Sequence, residues 1–131
     1  MFNLFKKTAP LGNFAFLNTD MHSHLLPGID DGAKDIDESL ELISKLSAMG
    51  YKHLITTPHI MADLYPNTPA IITEKLKEVR KAISNAGIDI TLNAAAEYLM
   101  DEGFEPLLEE GDLLTLPGKR LLVDMSFISA P

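Results

Sequence analysis

The chain contains no cysteine. That excludes disulfides, thiolate metal sites and thiol nucleophiles, so any metal must be held through nitrogen and oxygen. No segment approaches the roughly 20 consecutive apolar residues of a membrane-spanning helix, and the charged start, Met1 to Lys7, leads into no sustained apolar stretch. A cytoplasmic protein with no membrane insertion is the expectation. Basic residues are scarce, with 11 Lys and Arg against 19 Asp and Glu and a formal net charge of −8. Phosphate backbones are gripped by clustered cations, so this balance argues against a nucleic-acid partner. Internal repeats and low-complexity tracts are also missing. What remains is ordinary for a globular protein, 46% apolar and 23% charged, and 131 residues suffice for one domain with a modest core.

Short apolar runs alternate with amphipathic patterns. Phe14 to Met21 reads as a first strand, followed by the turn-rich Pro27-Gly28-Ile29-Asp30-Asp31-Gly32. Ile36, Leu40, Ile43 and Leu46 recur at helical spacing after Asp35, a suitable N-cap, with Gly50 just past the end. His53 to Thr57 is β-prone and ends at Pro58, and Met61 to Asn67 reads as a loop. Thr68-Pro69 then supplies a cap and a first-turn proline for a helix through Ile72, Leu76, Val79 and Ile83, stopped by Gly87. Ile88 to Leu92 alternates as a third strand, Phe104 to Glu110 as a short helix ended by Gly111, and Leu121 to Met125 as a fourth strand. The order βαβαβαβ predicts an α/β fold with a parallel sheet and right-handed crossovers.

In such folds functional groups collect at the carboxyl ends of the strands. Each predicted strand ends near a candidate: His22 and His24, then His59, Glu97 and Asp124. Side chains alternate along a strand, so His22 and His24 point to one side and can bind one ion. Imidazoles with carboxylates suit manganese, zinc or iron, and a carboxylate such as Glu97 can bridge two ions. Clustered ions acidify a bound water and neutralise charge on a phosphoryl group, so phosphoester hydrolysis is the natural use. Taken singly, each residue has a plainer reading: His59 as a strand cap, Glu97 as a solvated loop acid. Asp30 and Asp31 read either as turn residues or as supports orienting the histidines. His53 opens its strand and belongs to the opposite rim. Glu105, Glu109, Glu110 and Asp112 read as a solvated face, and Met61 and Tyr65 as loose core packing rather than a substrate entrance.

The run Asp20-Met21-His22-Ser23-His24-Leu25-Leu26-Pro27-Gly28-Ile29-Asp30-Asp31-Gly32, followed by Thr57-Pro58-His59, resembles the amino-terminal half of the PHP (polymerase and histidinol phosphatase) superfamily. Within it the chain is most similar to the manganese-dependent protein-tyrosine phosphatases of bacterial capsular and exopolysaccharide clusters. The resemblance covers nearly everything from about Thr19 onward, so residues 1–18 are expected as a lead-in and 19–131 as a shortened phosphoesterase domain. It implies a distorted (βα)7, TIM-like barrel, of which this chain would form about half. It also implies up to three metal ions, manganese or else zinc or iron, and dephosphorylation of the phosphotyrosine tail of a partner bacterial tyrosine kinase. Carried over, His22 and His24 are ligands of one ion, Glu97 a bridging ligand, and His59 a ligand of a neighbouring ion. Asp124 stands where the family usually places Glu, and Asp20, Asp30 and Asp31 fall into a supporting shell.

Two departures follow. The family's later His-Pro-x-Arg and Asp-x-His segments, which carry further ligands and a phosphate-binding arginine, have no counterpart here. A half-barrel would also leave a parallel sheet edge free, which predicts self-association. Besides the tyrosine phosphatase reading, the sequence is compatible with a related phosphatase acting on histidinol phosphate, a sugar phosphate or a nucleotide. A catalytically silent metal-binding or oligomerisation module is the reading outside enzymes.

Overall fold

Both long helices form where the sequence marks them. Helix α1 (Ile36–Ala48) begins as the Asp35 carboxylate accepts the Glu38 N–H at 2.9 Å, and the Glu38 carboxylate accepts the Lys34 N–H at 2.9 Å. Helix α2 (Pro69–Ala86) is capped by Thr68, whose hydroxyl accepts the Ile71 N–H at 3.2 Å, and it stops at Gly87 with φ +68°, a left-handed turn that glycine adopts without strain. Its stripe of Ile72, Leu76, Val79 and Ile83 is buried, as the spacing predicts. The short α3 (Phe104–Glu110) follows with Gly111 at its end.

The computed structural model describes residues 15–125. Among them the strands are β1 (Thr19–Asp20), β2 (His53–Thr56), β3 (His59–Ile60), β4 (Thr91–Ala94), β5 (Glu97–Leu99) and β6 (Leu122–Asp124). Every strand pairing is parallel, in the orders β1-β2-β4 and β3-β5-β6. The second set continues the first. Thr56 pairs with Ala94 before the interruption and His59 with Glu97 after it, at the same sequence offset, so Thr57-Pro58 lies opposite Ala95-Ala96. Hydrogen bonds cross the break, from Ala95 N–H to the Thr56 carbonyl and from Glu97 N–H to the Pro58 carbonyl, both 2.9 Å. Proline has no N–H for the ladder, which is reason enough for the interruption on one side.

The core is built where the sheet meets the helices. Leu25 and Leu26, just after the paired histidines, pack with Ile43 of α1, Leu54 of β2, Ile72 and Val79 of α2 and Leu92 of β4. Each such side chain stabilises the fold by about 1.5–3 kcal/mol relative to leaving it in water. Tyr98 is fully buried, its hydroxyl accepts the Leu114 N–H at 2.8 Å, and burial pushes its pKa up.

Several expected boundaries shift. The strand expected over Phe14 to Met21 is only Thr19–Asp20; residues 15–17 form a turn, Asn18 has φ +61°, and Phe14 lies outside the described residues. The third strand starts at Thr91, while Ile88 and Ile90 pack half-buried against the core ahead of it. His59 and Glu97 do not end strands; they open β3 and β5 directly after the break. The expected turn at Pro117-Gly118 is present, closed by a Leu116 N–H bond to the Arg120 carbonyl at 2.9 Å.

The turn carrying Asp30 and Asp31 folds back against His24. Ala33 N–H donates to the His24 carbonyl at 3.1 Å, and Gly28 N–H to the Ala33 carbonyl at 2.8 Å. A Cβ on Gly32 would stand 2.5 Å from the His24 Cβ and closer still to its carbonyl oxygen, so the backbones meet here because residue 32 has no side chain. Gly32→Ala therefore lowers unfolding stability by at least about 1–3 kcal/mol, the usual range for overpacking. Urea denaturation checks this, and an unchanged midpoint would contradict the close approach.

Candidate metal centre

Three segments bring the predicted residues together at the level of the strand break. The first is the extended stretch after β1, held beside β2 by the Ser23 carbonyl. That oxygen accepts the Thr57 N–H at 2.6 Å and the Thr56 hydroxyl at 2.9 Å, while Leu25 N–H donates to the Thr56 hydroxyl at 2.9 Å. His22 and His24 project from either side of this anchored residue, with ring centroids 5.4 Å apart. β3 contributes His59, whose ring lies 4.5 Å from that of His24. β5 contributes Glu97, paired in register with His59.

Glu97 is the centre of the arrangement. Its Oε2 lies 3.2 Å from His24 Nε2 and 3.3 Å from His59 Nδ1. Both Glu97 Oε2 and His59 Nδ1 are buried without a hydrogen-bond partner among the described residues. Buried polar atoms are rarely left so. His22, His24 and Glu97 present donor atoms within 4.8 Å of one another, and so do His24, Asp31 and His59. Two such groups share His24.

The surrounding residues fix which imidazole nitrogen is free. His22 Nδ1 is 2.7 Å from the Thr57 hydroxyl, which itself donates to the Ser23 carbonyl at 3.4 Å and so accepts from the ring. That places the His22 proton on Nδ1 and leaves the Nε2 lone pair free. His24 Nδ1 donates to Asp30 Oδ2 at 2.8 Å, leaving its Nε2 toward Glu97. The hydrogen bond to Asp30 raises the His24 pKa above its ordinary 6.5; burial opposes this, and the charges of Asp30, Glu97 and Asp31 add to it. Asp30 is pushed upward by its own burial, but hydrogen bonds from His24 and from the Gly32 and His59 N–H groups outweigh that and hold it below its usual range.

The adjacent acids thus differ in position. The Asp30 side chain is buried and bonded to the His24 ring. Asp31 was expected beside it, but is exposed and directs Oδ1 to His59 Nε2 at 3.3 Å, within the second donor group. Asp20, on β1, lies outside both groups; its Oδ2 is buried without a partner among the described residues, and burial raises its pKa. Asp124 pairs in register with Leu99, on the same face as Glu97 but one step farther along, and also lies outside both groups. His53 sits exposed at the start of β2, on the far rim, as expected.

Three contributors escape the sequence reading. Thr57 was quoted only as a neighbour of His59, yet it orients His22. Tyr65, expected in loose core packing, instead stacks on the His59 ring with centroids 5.7 Å apart and planes within 13°. Asn67 donates to the carbonyls of Ile29 and His59 at 2.9 and 2.8 Å. A buried threonine beside a proline-terminated strand was a usable signal; nothing local distinguished Asn67.

The donor set, the partnerless Glu97 Oε2 beside His24 Nε2 and two imidazoles locked into single tautomers all fit a divalent cation held by nitrogen and oxygen. Comparison with known proteins agrees. Residues 18–129 match the family model for capsular polysaccharide synthesis, CpsB/CapC. The chain is 30% identical over 113 residues to the tyrosine-protein phosphatase YwqE of Bacillus subtilis, covering 86% of this chain and 44% of that protein. It is 26% identical over 101 residues to the tyrosine-protein phosphatase CpsB of Streptococcus pneumoniae, covering 77% and 42%. Among solved structures it superposes with a TM-score of 0.75 and 30% identity on a chain from the crystal structures of YwqE and CpsB, described as unique metal-dependent tyrosine phosphatases. That match covers 83% of this chain and 44% of the other. The chain therefore spans less than half the length of the relatives it matches. With a family match over most of its length and a structural match to part of these enzymes, the chain belongs to the CpsB/CapC family of capsular polysaccharide synthesis.

Proposed function

We propose that the chain carries one side of the metal centre of a phosphotyrosine-protein phosphatase acting in capsular or exopolysaccharide synthesis. The observation that carries this reading is Glu97 Oε2, a buried and partnerless carboxylate oxygen facing two imidazoles. His22, His24, His59 and Glu97 hold the ions, Asp31 joins them at His59, and Asp30 and Asp20 support the histidines from behind. Asp124 serves an ion farther along the rim. Manganese is the native metal in this reading, with zinc or iron as substitutes and up to three ions in the complete family site.

Bound divalent cations supply positive charge that polarises a phosphoryl group and lowers the pKa of water. The chain's own residues fix the tautomer and aim of the ligand nitrogens: Thr57 through His22 Nδ1, Asp30 through His24 Nδ1. Phosphate finds no guanidinium here. Arg80 is committed to the Leu92 carbonyl at 2.8 Å and the Asn93 side chain at 2.6 Å, and Arg120, the other arginine of the sequence, is exposed where it closes the 116–120 turn. Substrate charge in this chain therefore rests on the cations, which favours weak turnover and gives weight to a second reading as a metal-binding module with little catalysis.

The same proposal extends to architecture and partners. Residues from about 19 onward form one phosphoesterase domain, a set of parallel βα units amounting to about half of a distorted (βα)7 barrel, working in the cytoplasm on the phosphotyrosine tail of a bacterial tyrosine kinase. Among the described residues β1 pairs only with β2 and β6 only with β5, and these outer edges support self-association.

Manganese-dependent hydrolysis of a phosphotyrosine peptide by this chain, abolished by chelator and by His22→Ala, is the direct test. Glu97→Ala loses manganese binding while helix content by circular dichroism stays near the parent's. Parent-like manganese binding in either variant would sink the site assignment, and binding without turnover would select the metal-binding module. Thr57→Val, which keeps volume but removes the hydroxyl that orients His22, weakens manganese affinity about 10–100-fold in calorimetric titration. In metal-free protein the His24 ring titrates above 6.5 by NMR, and Asp30→Asn brings it down. Because protons then compete for His24, manganese affinity falls as pH drops through that titration and recovers as pH rises; a pH-independent affinity would contradict His24 as a ligand.

A further inference from the structure

The loop joining β3 to α2, residues 61–67, makes contacts at the His59 end of the cluster that the donor groups themselves do not require. The Asn67 side-chain nitrogen donates to the Ile29 carbonyl at 2.9 Å and to the His59 carbonyl at 2.8 Å. Both N–H groups of the amide are thereby occupied. One acceptor belongs to the residue immediately before Asp30-Asp31, the other to the residue whose ring faces Asp31 and Glu97. The loop is shaped for this role. Met61 and Asn67 N–H groups both donate to the Tyr65 carbonyl, at 2.9 and 2.7 Å, and Ala62 N–H is held by Asp101 Oδ2 at 2.8 Å. That fold lays the Tyr65 ring parallel to His59, so the same loop fixes the histidine's backbone and limits its ring rotation.

We propose that Asn67 is a positioning residue for the metal centre: by tying the Ile29 carbonyl to the His59 carbonyl it sets the gap between Asp31 and His59. The inference rests on reading the cluster as a metal centre. That gap, Asp31 Oδ1 to His59 Nε2, is 3.3 Å. Two donors bonded to one ion at about 2.1 Å each stand roughly 3–3.4 Å apart, so the spacing suits a shared cation. Asp31 is exposed and lies on a turn, and among the described residues its carboxylate makes no hydrogen bond that would hold it at this distance. Its position depends on where the turn is anchored, through Asp30 and through Ile29.

The test is calorimetric titration of manganese into the parent chain and Asn67→Ala, with melting curves in chelator and in saturating manganese. Asn67→Ala weakens manganese binding about 10–100-fold, the usual effect of removing an outer support, and shrinks the manganese-induced rise in melting temperature. A merely structural role would lower the metal-free melting temperature and leave that rise intact. Should Asn67→Ala fail to fold by circular dichroism, Asn67→Ser, which keeps one donor, takes its place with the same expectations. Parent-like manganese affinity and an unreduced rise in the folded variant overturn the proposal. If the parent itself binds no manganese, the metal-centre reading fails separately and metal-free NMR decides: the His59 ring signals and the amide signals of residues 28–32 move in the variant, and unchanged signals overturn the positioning role.

Discussion

A parallel ladder that keeps its register across a break governs the rest of this molecule. β2 and β4 pair, both chains lose regular strand geometry for two residues, and β3 and β5 resume at the same offset. The hydrogen bonds from Ala95 to Thr56 and from Glu97 to Pro58 carry the pairing through. A slip of one residue would turn His59 and Glu97 to opposite faces, because side chains in a strand alternate. The break therefore does two things at once. It frees Thr57 to reach His22, and it delivers an imidazole and a carboxylate side by side immediately afterwards.

The energetic consequence is a concentration of half-buried ionisable groups in one place. Two imidazoles face a buried glutamate oxygen, and the Asp30 side chain behind them is fully buried. Burial of a carboxylate costs several kcal/mol unless it is paired and hydrogen-bonded. Asp30 meets that condition with three donors, and its pKa is lowered in spite of its burial. Glu97 does not, and its unpartnered oxygen is the local imbalance that a cation would correct. Functional sites commonly retain such imbalances at some cost to stability, while the hydrophobic contacts of α1 and α2 with the sheet maintain the fold around them.

Much of this was legible in the sequence where the determinants are local. Asp35, Thr68-Pro69, Gly87 and Gly111 mark helix ends through their own backbone chemistry, and the apolar spacing of α2 names its buried stripe. His22, His24, His59 and Glu97 were recognisable because each follows or interrupts a strand-like run. The first strand was overread: apolar residues near the start suggested β structure, but Asn18 takes a left-handed conformation and Phe16 is 81% exposed. The third strand was placed early because Ile88 and Ile90 alternate, although they pack beside the sheet without joining it.

By itself, then, the sequence determined the helices, their caps and the parallel α/β class, and it limited any metal site to nitrogen and oxygen donors, since these follow from residue type, spacing and the absence of cysteine. Tertiary structure alone decided the partnerships that make the site specific. Thr57 meets His22 across 35 residues, Asp30 meets His59 across 29, and Asn67 meets Ile29 across 38. It also separated the neighbours Asp30 and Asp31, turning one into the buried support of His24 and the other toward His59. Such contacts depend on where distant backbone segments come to rest, and a single hydroxyl, amide or carboxylate carries no mark in the sequence of the partner it will meet.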